Sequence, residues 1–259
     1  MNDFRSRYGP AALVAGASEG LGAAYAEALA KRGLDLVLIA RRLDKLEKLA
    51  DFLTNKYAIS VIIHALDLAD IDRVLETLSR EGRSFGLLVY NAACAPIGEF
   101  RDIPTDKLAM ITDVNVKAPL LLSKFVSSGM IKNKRGGIIL MSSLAGSQGS
   151  PKIATYAASK AFNAILAEGL WAELRPEGID VIASVAGAIS TPGYQNAQGK
   201  KAPGTLDPAQ VAEKTLKSLG KRPVTVPGFT NKIARFLMGR LLPRKSAIAM
   251  MKKNTESLS

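Results

Sequence analysis

Cysteine, histidine and tryptophan are scarce in this chain, which has one tryptophan, one cysteine at Cys94 and one histidine at His64. A single cysteine excludes a disulfide within the chain and suits a reducing compartment. His64 lies inside an apolar run at 60–66. We therefore predict that it is a packed core residue without a catalytic role, and we predict no metal site.

Long apolar runs are also missing, since none approaches the roughly 18 residues of a membrane span. The first ten residues carry no apolar signal-peptide core. We therefore expect a cytoplasmic protein. With 259 residues, 47% of them hydrophobic, the chain can form a full core, and we expect one domain over 1–259.

Acidic residues are nearly absent from the C-terminal part of the chain. Residues 221–259 contain nine Lys/Arg against one acid, Glu256, which is a net charge of +8 out of +12 for the whole chain. The other 220 residues are nearly balanced, so we predict no nucleic-acid partner. The charge indicates instead a basic C-terminal extension over 228–259.

Six short apolar runs recur along the sequence, and helical patterns separate them. They occupy 11–15, 34–40, 60–66, 85–90, 137–141 and 180–185. This alternation is typical of a parallel sheet covered on both faces, and it predicts an α/β, doubly wound Rossmann fold. Right-handed crossovers place every loop after a strand at the same edge of the sheet, so we expect one crevice there.

Gly16, Gly20 and Gly22 lie between the first predicted strand and the first predicted helix. Glycines allow the backbone to approach a pyrophosphate, and a helix N-terminus offers free N–H groups and a positive dipole end. The pattern predicts a dinucleotide site, although glycine turns also occur for purely steric reasons.

The second strand ends at Ala40 and is followed by Arg41 and Arg42. Sites that select NAD usually carry an acid here, whereas an arginine can bind a 2′-phosphate through two hydrogen bonds. We therefore predict NADP(H) as the cofactor. Glu19 argues against NADP(H). The alternative is that both arginines only solvate the start of the next helix, but a cation at a helix N-terminus is electrostatically unfavourable.

Tyr156 and Lys160 are four residues apart in a run without helix breakers, so they share one helix face. At about 4 Å the lysine cation would favour the phenolate by roughly 4 kcal/mol. The pair would then lower the pKa of Tyr156 from about 10 toward neutrality, where acid–base catalysis is efficient. The structural alternative is a surface lysine beside a half-buried tyrosine.

Together these features closely resemble the short-chain dehydrogenase/reductase family over about residues 8–225. The matching motifs, in family order, are Gly16-x3-Gly20-x-Gly22, Asp67-Leu68, Asn91-Ala92-Ala93, Asn115, Ser143 and Tyr156-x3-Lys160. The sequence departs from the usual pattern at Ala93, where a glycine is common, and at Ala186, where a proline often precedes Gly187.

The resemblance implies a catalytic role for four residues. Tyr156 would exchange a proton with the substrate oxygen, and Ser143 would hydrogen-bond that oxygen. Lys160 would lower the pKa of the tyrosine and hold the nicotinamide ribose. Asn115 would hold a water in a proton relay to Lys160.

The resemblance also implies a cofactor site. Asp67 would contact the adenine, Asn91 the adjacent ribose, and Ile189 and Thr191 the nicotinamide amide. Besides Tyr156 and Lys160, the predicted cofactor residues are Gly16, Ser18, Glu19, Gly20, Leu21, Gly22, Arg41, Arg42, Asp67, Leu68, Asn91, Ala92, Ala93, Gly187, Ile189 and Thr191.

The extension carries apolar residues at helical spacing, namely Ile233, Phe236, Leu237 and Leu241. It is similar to the 3-oxoacyl-thioester and 17β-hydroxysteroid reductase branch of the family. One hypothesis is that the amphipathic tail covers an apolar substrate channel or rests on an acidic membrane surface. The other is a helix packed on its own domain or on a neighbouring subunit.

We therefore expect an NADPH-dependent enzyme that reversibly reduces an apolar ketone or 3-oxoacyl group to a secondary alcohol. The alternatives are an NAD-dependent alcohol or hydroxysteroid dehydrogenase, and a nucleotide-binding regulator that senses the redox ratio. The expected partners are a small carbonyl or alcohol substrate and further copies of the chain, as a homodimer or homotetramer. We expect the segments 94–100, 144–152 and 192–206 to line the substrate pocket.

Overall fold

The computed structural model describes residues 3–192 and 204–256. Seven strands form its single sheet: β1 Ala11–Ala15, β2 Asp35–Ala40, β3 Val61–Ala65, β4 Leu87–Tyr90, β5 Gly136–Ser143, β6 Ile179–Ala186 and β7 Val224–Thr225. Their order is β3-β2-β1-β4-β5-β6-β7, and every pairing is parallel. The chain therefore switches direction across the sheet between β1 and β4, where α/β folds bind their ligands.

Helices cover both faces of this sheet. Those described are α1 Asp3–Tyr8, α2 Gly20–Ala30, α3 Leu43–Tyr57, α4 Ile71–Glu81, α5 Thr105–Thr112, α6 Ala118–Lys132, α7 Ala154–Leu174, α8 Pro208–Ser218, α9 Phe229–Phe236 and α10 Arg244–Glu256. One core lies between the sheet and α2, α3 and α8. The second lies between the sheet and α4, α6 and α7. Because both faces are buried, the central strands are apolar at nearly every position.

The six predicted strands and the doubly wound fold class are confirmed, with strand ends shifted by a few residues. The predicted core position of His64 is wrong. β3 is an edge strand of the sheet, and the His64 side chain lies outside both core clusters, 17% exposed and against the Glu81 carboxylate. An apolar run cannot distinguish an edge strand from a central one.

Two segments of π-helix interrupt the α-helical parts of the chain. The first, Asp113–Lys117, joins α5 to α6. The second, Leu237–Leu241, continues α9. Such insertions are rare and often mark functional sites.

The C-terminal extension is helical, as the apolar spacing predicts, and it packs on the rest of the chain through other buried residues, among them Asn231, Met238 and Ala247. Ile233, Phe236, Leu237 and Leu241 are all exposed, so the predicted apolar row is not the face that packs. Among the described helices, none has the length and apolar character needed to cross a bilayer. The assignment of 1–259 to one domain with an extension at 228–259 stays a prediction.

Candidate active site

A cleft of about 630 Å³ opens at the carboxyl ends of the strands. Of the twenty predicted site residues, eighteen line it, and the two that do not are Gly22 and Asn115. Residues from loops that are far apart in the sequence thus converge, as the parallel topology predicts. Within the predicted pocket segments, 193–203 lie outside the described residues.

The glycine loop brings the start of α2 into the cleft. Glu19 precedes the helix and makes no side-chain cap, so the first N–H groups of α2 have no side-chain acceptor at this position. A Cβ atom at Gly16 would lie 2.6 Å from the backbone nitrogen of Ala92, and one at Gly22 would lie 2.0 Å from the Gly16 oxygen. Gly22 therefore does not line the cleft, but its lack of a side chain allows the glycine loop to adopt this conformation.

The side chain of Asn91 supports the same loop, because its Nδ2 donates to the Gly16 carbonyl oxygen at 2.9 Å. Asp67 follows β3, and its Oδ1 accepts from the backbone N–H of Ala69 at 3.0 Å. Both residues line the cleft.

The two arginines after β2 differ in their surroundings. Arg42 pairs with the Glu19 carboxylate at 2.7 Å and donates to Ser18 Oγ at 2.9 Å, while Lys45 contacts the other Glu19 oxygen at 2.5 Å. Hydrogen bonds from Arg42 and then Lys45 lower the pKa of Glu19. Arg41 is exposed at the cleft and makes no ion pair within the described residues. Arg41 is therefore the free guanidinium of the two.

The catalytic residues predicted on α7 face the end of β5. The Lys160 ammonium lies 5.5 Å from the centre of the Tyr156 ring and donates to the Met141 carbonyl oxygen at 3.1 Å. Ser142 Oγ donates to the Lys160 carbonyl oxygen at 2.7 Å, which fixes the helix against the strand. Ser143, the last residue of β5, lies close enough to Tyr156 for its hydroxyl to affect the pKa of the phenol.

The predicted lowering of the pKa of Tyr156 is wrong for the protein without bound cofactor. Burial raises the pKa of Tyr156, and the hydrogen bond with Ser143 lowers it by less. Burial also lowers the pKa of Lys160 to about 8, because its side chain is only 3% exposed. The spacing of the two residues in the sequence indicates their mutual attraction, but it does not show that both groups are desolvated.

Asn115 lies behind the cleft, fully buried in the first π-helix. Its amide hydrogen-bonds the backbone N–H and C=O of Cys94, each at 2.8 Å, and also contacts Ser159 Oγ at 3.0 Å. The π-turn leaves the Asn115 carbonyl oxygen to accept from Asn163 at 3.1 Å. Asn115 thus connects the loop after β4 to the helix that carries Tyr156.

The loop after β6 forms the wall opposite the glycine loop. A Cβ atom at Gly20 would lie 2.9 Å from Thr191 Cγ2, and Ile189 pairs with Leu206 in an isolated bridge. A Cβ atom at Gly187 would meet Asn231 Oδ1 at 2.5 Å. Asn231 is buried and donates to the Pro227 carbonyl oxygen at 3.0 Å. This wall therefore packs directly on α9.

Several residues at the site were not predicted. Met110 and Val114 line the cleft from α5 and the first π-helix, while Asn163 and Asn231 support it from behind. Buried asparagines in apolar surroundings are a usable signal, because each requires a hydrogen-bond partner. Nothing in the local sequence shows that Met110 and Val114 face the cleft rather than the core.

The donors present fit a dinucleotide phosphate cofactor. The N-terminus of α2 offers N–H groups for a pyrophosphate, and Arg41 offers a free guanidinium. After β5, Lys160 offers an ammonium group near the Tyr156 ring.

Comparisons with known proteins agree with this geometry. A family model described as short chain dehydrogenase matches residues 10–202. A very-long-chain 3-oxoacyl-CoA reductase of Phaeosphaeria nodorum is 31% identical over 95% of this chain and 76% of its own length. A 7β-hydroxysteroid dehydrogenase of Mediterraneibacter gnavus is 29% identical over 88% of this chain and 90% of its own length.

Solved structures give the same picture. A structure from work on 7β-hydroxysteroid dehydrogenase stereoselectivity superposes with a TM-score of 0.90 at 27% identity, over 97% of this chain and 99% of the other. A short-chain dehydrogenase from Sphingobium yanoikuyae in complex with NADPH superposes with a TM-score of 0.77 at 29% identity, over 90% and 96% of the two chains.

Proposed function

This chain belongs to the short-chain dehydrogenase family, and from that premise we propose that it is an NADPH-dependent reductase of apolar ketones or 3-oxoacyl groups. Members of this family are oxidoreductases that use NAD(P). The observation that carries the proposal is the convergence of Ser143, Tyr156 and Lys160 at one end of a cleft whose other end presents Arg41.

The nicotinamide cofactor supplies the hydride that reduces the carbonyl carbon. Tyr156 gives a proton to the carbonyl oxygen, and Ser143 hydrogen-bonds that oxygen and orients it. Because burial raises the pKa of Tyr156, the phenol is protonated at neutral pH and is ready to act as the acid.

Lys160 has two roles in this proposal: it binds the nicotinamide ribose and it stabilises negative charge on Tyr156 after proton transfer. Its short distance to the Tyr156 ring supports the second role. Asn115 holds a water in the relay that returns a proton through Lys160. The carbonyl oxygen of Asn115 lies in the π-helix, where the regular helical hydrogen bond is shifted.

The preference for NADPH is supported by Arg41. A guanidinium without an ion pair can bind a 2′-phosphate through two charge-assisted hydrogen bonds. Arg42 would have to leave Glu19 to do the same. Among the remaining predicted residues, Asp67 and Leu68 hold the adenine, and Ile189 and Thr191 hold the nicotinamide amide.

The substrate class is supported by two observations. Met110, Val114 and Ile189 give one end of the cleft an apolar lining. The similar proteins include a very-long-chain 3-oxoacyl-CoA reductase and 7β-hydroxysteroid dehydrogenases. The overall similarity of the 7β-hydroxysteroid structure favours oxidation of a hydroxysteroid as the second candidate function.

We propose that the enzyme is a cytoplasmic homodimer or homotetramer that associates through α6 and α7. Leu120 on α6 is an exposed apolar residue, and its burial between subunits would be favourable. Molar mass by light scattering tests this, and a monomer at micromolar concentration would contradict it.

The experiment that tests the function is a panel of ketones and secondary alcohols followed by cofactor absorbance with both nicotinamides. We expect turnover of bulky apolar ketones or 3-oxoacyl thioesters with NADPH, at a higher kcat/KM than with NADH. Nucleotide binding without turnover of any carbonyl or alcohol would favour the redox-sensing regulator instead.

A further inference from the structure

The C-terminal extension exposes a row of five apolar side chains, which we call the C-terminal stripe: Phe229, Ile233, Phe236, Leu237 and Leu241. They recur at helical spacing along α9 and the second π-helix. Phe229 is 79% exposed and Leu241 is 60% exposed. A contiguous exposed apolar surface of this kind marks an interaction site.

Basic side chains accompany the stripe. A cavity of about 490 Å³ lies between the extension and α7, and Phe236 lines it together with Lys232, Arg235 and Arg240. We call it the basic cavity. None of these three cations makes an ion pair with a described residue. Among the described residues that line the cavity, one is acidic, Glu168 on α7.

The stripe also lies at the edge of the sheet that holds the active site. β7 runs parallel to β6, and α9 begins at Phe229, four residues after β7 ends at Thr225. The basic cavity shares Ser142 and Ser143 with the catalytic cleft. A partner on the stripe would therefore be a neighbour of the catalytic site.

The charge of the extension decides which partner fits. Residues 229–256 carry seven Lys/Arg against the single acid Glu256, a net charge of +6. In a two-fold contact between copies the same surface meets itself, so two strongly basic segments would face each other and repel. An acidic surface with an apolar interior matches both the positive charge of the extension and its exposed apolar stripe.

We propose that the C-terminal stripe docks on an anionic phospholipid membrane, with the apolar side chains among the acyl chains and the basic cavity against the lipid phosphates. The helix lies along the interface and does not span it. Docking places the open catalytic cleft beside the bilayer, from which an apolar substrate can enter. This attachment does not depend on the proposed reaction.

Sedimentation of the full chain with vesicles tests the proposal. We expect binding to vesicles of phosphatidylcholine containing phosphatidylglycerol, weaker binding to pure phosphatidylcholine, and a loss of affinity as salt rises. Each cation near an anionic surface contributes about fivefold in affinity, so Lys232→Gln/Arg235→Gln/Arg240→Gln together should weaken binding about 100-fold.

Matched controls separate the stripe from general charge. Lys48→Gln/Lys124→Gln/Lys132→Gln removes the same charge from exposed positions on α3 and α6 and should change affinity by less than about fivefold. Phe229→Ser/Ile233→Ser should weaken binding at least about tenfold, whereas Phe100→Ser, at another exposed aromatic, should not. Circular dichroism checks that each variant is folded.

Three results would overturn the proposal. The first is an absence of binding to anionic vesicles by the full chain. The second is an equal loss of vesicle affinity in the two triple variants that each remove three positive charges, which would show that net charge alone causes the attraction. The third is a change from dimer to monomer in Phe229→Ser/Ile233→Ser without vesicle binding by the full chain, which would make the stripe a subunit interface.

Discussion

The side-chain amide of Asn115 donates to the Cys94 carbonyl oxygen and accepts from the Cys94 N–H, each at 2.8 Å. This pair joins a buried helix position to the loop after β4, which lines the cleft. With the contact to Ser159, one fully buried side chain fixes the loop after β4, the first π-helix and α7 relative to one another.

Asn115→Ala should therefore lower the free energy of unfolding by about 3 kcal/mol, since it removes three buried hydrogen bonds of about 1 kcal/mol each. Urea unfolding followed by circular dichroism measures the change. Asn133→Ala is the control, because Asn133 is exposed at the end of α6, and it should cost less than about 0.5 kcal/mol. If the two variants are equally stable, the assignment of Asn115 as a buried connector is wrong.

Burial of Lys160 predicts a pH dependence of stability. Its pKa falls from 10.5 to about 8 in the folded protein, so between these pH values the unfolded chain still holds the proton that the folded protein has released. Unfolding takes up a proton in this window, and the wild type gains stability as pH rises through it.

Lys160→Met removes this titration. At pH 8 the variant should have a higher free energy of unfolding than the wild type. This difference should become smaller by about 3 kcal/mol between pH 8 and pH 10.5. Lys214→Met, at an exposed lysine, should show no such trend. Urea unfolding of the cofactor-free proteins at several pH values measures the difference, and a difference that is independent of pH would show that Lys160 is not desolvated.

The raised pKa of Tyr156 predicts that its phenol ionises at a higher pH than an exposed tyrosine does in the cofactor-free protein. An ultraviolet difference titration of wild type against Tyr156→Phe isolates its tyrosinate absorbance. The difference signal should develop only after the exposed tyrosines of the protein have begun to ionise. A tyrosinate signal from this residue near neutrality would mean that attraction by Lys160 outweighs burial even without cofactor.

The unequal surroundings of Arg41 and Arg42 predict unequal effects on cofactor binding. Arg41→Ala should raise the dissociation constant for NADPH about 10- to 100-fold, the value of a hydrogen bond to a charged group, and should leave NADH binding almost unchanged. Arg42→Ala should have a smaller effect, since Glu19 already holds that guanidinium. Titration calorimetry with both nucleotides distinguishes them, and equal losses for NADPH and NADH in Arg41→Ala would exclude the phosphate contact.

Local sequence patterns predicted most of the scaffold. The six apolar runs, the glycine loop and the Tyr156–Lys160 spacing each depend on a few consecutive residues, and parallel topology then brings their loops together. What the sequence could not provide depends on tertiary packing. The pairing of Arg42 with Glu19, the edge position of His64 and the desolvation of Tyr156 each arise from contacts between distant segments.

The extension illustrates the same limit. Helical spacing identified the apolar row from Ile233 to Leu241, but spacing alone does not show whether that row faces the protein or the solvent. Asn231, which connects α9 to the wall at Gly187, carried no pattern of its own. In the sequence, Asn231 is only one polar residue within an amphipathic segment.

The most direct test of the central claim compares wild type with Tyr156→Phe in the NADPH-dependent reduction of a ketone that the wild type accepts. We predict that the variant binds NADPH within about twofold of the wild type, because the phenyl ring keeps its place on α7. We predict also that its turnover falls at least about 100-fold, the contribution typical of a general acid. Turnover at the wild-type rate in Tyr156→Phe would contradict the account.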